Sequence, residues 1–140
     1  HPDHYPHHLP SALYDPGQSP RLAEFLNHVD VAVSLHGYGR LGRSTQLLAG
    51  GRHRALAEHL ARHILIPGFQ VMTDLAAIPR ELRGLHPDNP VNRASGGGAQ
   101  LELSPRVRGI SPRSGVRGED GLCAATSALV QGLVTAARSW

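Results

Sequence analysis

Apolar and polar positions fall into blocks along this chain, and the blocks switch between helical and strand periods. Ser19-Pro20 opens the first helical block, with Ser19 placed to cap it and Pro20 at the first helical position. Leu22, Phe25 and Leu26 carry its apolar stripe to about His28. Val29 to Leu35 is rich in Val and Ala and reads as a buried strand. Gly37 to Arg43 is a glycine-rich loop, and Thr45 to Ala49 a second short strand. Gly50-Gly51 turns the chain into a helix over 52–64, whose Leu56, Leu60 and Ile64 share one face. Phe69 to Met72 predicts a third strand after the Pro67-Gly68 turn, and Ala76 to Leu82 a short helical turn broken by Pro79. Residues 84–98 show no apolar pattern, and loops of that length in compact domains are often functional. Ala99 to Leu103 predicts a fourth strand, Pro105 to Val107 a short helix, and Leu122 to Ala137 the last helix. Strands alternating with helices predict an α/β domain over 19–140, a three-layer sandwich around a mostly parallel or mixed sheet. Residues 1–18 are rich in His and Pro and read as irregular.

Composition narrows the picture only slightly. The 140 residues are enough for one domain with a real core. All 14 basic residues are arginine, a pattern we read as coding bias. They are scattered without interleaved aromatics, so a nucleic-acid surface is not expected, whereas a cleft for a polyanion is compatible with them. No apolar run reaches membrane-spanning length and no signal-peptide pattern opens the chain. The compartment is left open with the cytoplasm as default, and the oligomeric state is not decided. The lone Cys123 excludes an intramolecular disulfide and reads as a small buried hydrophobe.

Two polar residues interrupt apolar strands. His36 ends the first strand just before Gly37, and Glu102 lies inside the fourth. In α/β enzymes the ligand crevice lies outside the carboxyl ends of the strands. Histidine there suits a metal or a proton, and a carboxylate in a strand is costly to bury without a partner. Each also has an ordinary reading, His36 as a hydrogen-bonded strand end and Glu102 as a solvent-facing edge residue. Asn92-Arg93 is a candidate clamp for a carboxylate, through the guanidinium fork and the neutral amide. Arg40 is a second candidate, and Arg80 and Arg83 could line a polyanion groove or a solvated surface. His1, His4, His7 and His8 cluster without helix or strand spacing and suggest only adventitious metal binding. His59 and His63, at i and i+4, read as a solvated helix face.

Val33-Ser34-Leu35-His36-Gly37, Asn89 to Arg93, and Gly97-Gly98-Ala99-Gln100-Leu101-Glu102-Leu103-Ser104 stand in this order and spacing. On these residues the stretch from about His8 to Arg108 resembles the poly-γ-glutamate hydrolase family, small zinc-dependent relatives of the carboxypeptidases. The resemblance implies a carboxypeptidase-like fold and hydrolysis of γ-linked glutamyl amide bonds in poly-γ-glutamate or a peptide-like substrate bearing a carboxylate. It makes His36 a zinc ligand, Glu102 the general base for a zinc-activated water, and Arg93 with Asn92 the substrate clamp, with Arg40 as a further contact. Family members open with a His-Gly-Gly-Gly-x-Glu type segment that supplies two more zinc ligands. This chain has none and starts at His1, so an N-terminally incomplete site with weak or partial Zn2+ binding is expected. The alternative is a non-catalytic carboxylate- or polyanion-binding module that has lost metal ligands.

Overall fold

In a computed structural model the chain is described over residues 10–140, so His1, His4, His7 and His8 lie outside the described residues. Four strands form one mixed sheet: β1 (Ala32–Gly37), β2 (Gln46–Gly50), β3 (Gln70–Met72) and β4 (Gly98–Leu103), in the order β1-β4-β2-β3. β4 pairs parallel to β1 and antiparallel to β2, and β2 pairs parallel to β3. Among the described residues three α-helices complete the α/β fold: α1 (Pro20–His28), α2 (Arg54–His63) and α3 (Ala124–Ser139).

The helix ends follow local chemistry. The Ser19 hydroxyl accepts from the Leu22 amide and Pro20 occupies the first turn of α1. α2 begins at Arg54, not Arg52, because the His53 ring Nδ1 accepts the Leu56 amide at 3.1 Å and serves as its cap. α2 and α3 cover one face of the sheet. Leu56 and Leu60 of α2, Ile64 at its C-cap, and Leu129 and Ala136 of α3 pack there on Leu47, Ala49, Leu101 and Leu103. On the other face, α1 packs Leu26 against Ala32, Val91 and Ala94, while Tyr38, Leu48 and Ile78 form a third cluster under the irregular 73–95 segment. No helix among the described residues is long and apolar enough to cross a membrane.

Several expectations change. β1 is an edge strand, not a buried one: Val33 and Leu35 are 41% and 53% exposed. The 84–98 segment contains a 3₁₀ turn, Pro90–Arg93, and Pro105 to Val107 is turn rather than helix. His59 does not sit on a solvated face. It is buried under α3, its Nε2 2.9 Å from the Ala136 carbonyl oxygen, a partner only the tertiary packing supplies. Cys123 is buried as expected, at the N-cap of α3.

Candidate active site

β1 and β4 run side by side with His36 opposite Glu102 and Ser34 opposite Gln100. Side chains alternate along a strand, so these polar residues share one face, while Leu101 and Leu103 enter the core on the other. The register therefore places the strand-end histidine and the strand carboxylate next to each other.

Glu102 is not a solvent-facing edge residue. β4 is an interior strand, every residue of it is buried, and Glu102 is 4% exposed. Burial pushes its carboxyl up to about 7, against the pull of the Gln100 hydrogen bond and the Arg108 guanidinium. Two buried amides orient it. Gln100 Nε2 donates to Glu102 Oε1 at 2.9 Å, and Asn89 Nδ2 donates to Gln100 Oε1 at 2.7 Å. A polar line thus runs from the 84–98 segment to the carboxylate, with Gln100 donating and accepting in one direction only.

Arg108 arrives from the turn after β4. Its guanidinium lies over Gly37, where a Cβ would come within 2.6 Å of it, so a side chain at 37 would displace the arginine. His36, Gln100, Glu102, Asn89 and Arg108 line a cleft of about 1000 Å³ with Arg80 and Arg83 on its wall. Arg83 is fixed there by donating from Nε to the Ile78 carbonyl at 2.9 Å. The groove reading of Arg80 and Arg83 thus has a cavity behind it.

The structure brings His36 and Glu102 together but not the other sequence candidates. The Asn92 side chain is spent on backbone: its Nδ2 donates to Gly84 and His86 carbonyls at 2.7 and 3.0 Å, and its Oδ1 accepts from the Arg52 amide at 3.1 Å. Asn92 is a pin that holds three loops. Arg93 is exposed and does not line the cleft. Arg40 pairs with Glu81 and lines a neighbouring pocket. Sequence reasoning missed Asn89, Gln100 and Arg108. Gln100 could have been found from its i, i+2 spacing to Glu102 on one strand face. Arg108 had no such signal, because its approach depends on the turn that precedes it.

Comparison with known proteins agrees with this fold. The family model for poly-gamma-glutamate hydrolase matches residues 1–111. The structure of a bacteriophage poly-gamma-glutamate hydrolase superposes with a TM-score of 0.71 at 23% identity, covering 94% of this chain and 62% of that one. YNDL in its apo, zinc-free form superposes with a TM-score of 0.60, also at 23% identity, over 94% of this chain and 61% of that one. The chain spans less than two thirds of the length of either. A comparison with curated proteins finds no match. The match over 111 of the 140 residues settles the family: this chain belongs to the poly-γ-glutamate hydrolases.

Proposed function

We propose that the cleft hydrolyses the γ-glutamyl amide bonds of poly-γ-glutamate, with Glu102 handling the proton of the attacking water. The observation that carries this reading is a buried, amide-oriented carboxylate beside a strand-end histidine in a cleft with arginines on its wall. A carboxyl poised near neutral pH suits a group that takes a proton from water and then gives it to the departing amine. Gln100 holds one carboxylate oxygen, which leaves the other to meet water. Arg108 is the candidate partner for a free carboxylate of the bound glutamyl unit, and Arg80 and Arg83 extend the attraction for a polyanion.

His36 is the candidate zinc ligand. Zinc, where bound, polarises a carbonyl and makes water more acidic. Among the described residues no group of three or more His, Cys, Asp or Glu side chains could hold a metal. These residues alone do not make a three-ligand site, so no step is assigned to the ion. The same observation favours a second reading, a polyanion-binding module without turnover.

Incubation with γ-linked and α-linked polyglutamate in the presence of zinc tests the proposal. Shortening of the γ-linked polymer alone is the expected result. Tight retention of the γ-linked polymer at full length supports the second reading, and indifference to both polymers contradicts both.

A further inference from the structure

We propose that a second pocket beside the cleft is an anion subsite that takes a carboxylate from another unit of the same glutamate chain. The proposal rests on the poly-γ-glutamate reading above. The pocket measures about 340 Å³ and is bounded by Arg40, Arg43 and Arg106 with Ser44, Ser104 and Ser111. Among the described residues no Asp or Glu lines it. Arg40 is paired with Glu81, so Arg43 and Arg106 are the cations whose mutual repulsion an anion in the pocket relieves.

The walls are built, not loose. Tyr38 is buried, and its hydroxyl donates to the Gln46 carbonyl at 2.8 Å, with the Arg43 carbonyl also in reach at 3.0 Å, pinning the loop that carries Arg40 and Arg43. Arg43 is held through Gln46 Oε1 at 3.0 Å and the Ala77 carbonyl at 3.2 Å. The buried Ser104 hydroxyl donates to the Ser44 carbonyl at 2.7 Å and ties this loop to the end of β4. On the far wall, Arg106 places its guanidinium carbon 5.4 Å from the centre of the Phe69 ring.

Arg106 Nε has no hydrogen-bond partner among the described residues and almost no accessible surface, so an anion in the pocket would meet the terminal nitrogens of this guanidinium. Two links join the pocket to the cleft. Arg40 lines the pocket and pairs with Glu81, which lines the cleft, so the pair forms a shared wall. Glu102 faces the cleft and Ser104, two residues on, lines the pocket. A γ-linked glutamate chain carries a free carboxylate on every unit. A chain leaving the cleft past Arg40 meets these cations before bulk solvent.

Calorimetric titration of the 140-residue protein with γ-linked glutamate dimer and octamer tests the subsite. Arg106→Gln is expected to weaken octamer binding about tenfold and leave dimer binding unchanged, the size of one lost charge-assisted contact. Arg40→Gln, at an exposed side chain, is expected to act in the same direction. Arg106→Lys keeps the charge and should recover part of the loss. Octamer binding unaffected by both Arg106→Gln and Arg40→Gln overturns the proposal, as does an equal loss for the dimer. If wild type binds neither oligomer but binds tripolyphosphate in an Arg106-dependent way, the pocket takes a free anion, and both the glutamate subsite and the hydrolase reading fail. If wild type binds dimer and octamer equally, the subsite alone fails.

Discussion

Gln100 reaches along its own strand to donate a 2.9 Å hydrogen bond to Glu102, and both side chains are buried. Residues two apart on a strand are about 6.6 Å apart along the backbone, a gap that a long side chain can span. Glutamine also turns its carbonyl to Asn89, so one residue both orients the carboxylate and anchors it to the neighbouring loop.

Removing that link should move the carboxylate further from its ordinary acidity. Gln100→Leu deletes a hydrogen bond that lowers the Glu102 pKa, so the pKa is expected to rise above about 7. It also leaves Asn89 Nδ2 buried without its partner, at about 1–3 kcal/mol of stability. Carboxyl-carbon NMR titration of the metal-free protein reads the first effect and urea unfolding the second.

The pH dependence of stability has a defined sign. Glu102 titrates at about 7 when folded, against 4.5 for an unburied glutamate. Folding therefore favours the protonated form. Its stabilising contribution is complete below pH about 4.5 and is lost as pH rises to about 7. Glu102→Gln carries no such charge. Below pH about 4.5 the two metal-free proteins should differ little, and at pH 8 the variant should be more stable, by on the order of 3 kcal/mol. Denaturant midpoints measured across that range check it.

Asn92 and Arg93 should separate cleanly in unfolding experiments. Asn92→Ala removes three hydrogen bonds that tie the loops around Arg52, Gly84 and His86. A loss of about 1–3 kcal/mol is expected. Arg93 is exposed, so Arg93→Ala should stay within about 0.5 kcal/mol of wild type.

Gly132 sits where α3 crosses α2. A Cβ there would come within 2.7 Å of the Ile64 Cα, which is backbone and cannot swing aside. Gly132→Ala should therefore destabilise by about 1–3 kcal/mol through overpacking, even though alanine is the better helix former. Thermal melting gives the direction at once.

The sequence carries the helices and strands because their signals are local. The Ser19-Pro20 start and the Leu56, Leu60, Ile64 stripe are visible in the letters, and the structure places α1 and α2 there. Exposure is not local. Val33 and Leu35 read as buried because composition does not say that β1 is the sheet edge. The alternation of Gln100, Glu102 and Ser104 reads as a wet face, yet the irregular 73–95 segment, which has no periodicity, helps close over it. The family resemblance assigns roles to His36 and Glu102, and only the parallel register of β1 and β4 sets them side by side. Arg108 beside Glu102, and His59 beneath α3, depend on contacts between segments far apart in the chain or joined by an irregular turn.

In the proposed function Glu102 acts on the chemical step of γ-glutamyl hydrolysis. The direct measurement is the rate at which γ-linked polyglutamate is shortened, in the presence of zinc, by wild type and by Glu102→Gln at matched polymer binding. The expected result is a loss of about 10²–10⁴-fold in turnover with polymer binding nearly intact. Turnover by Glu102→Gln at the wild-type rate would contradict it.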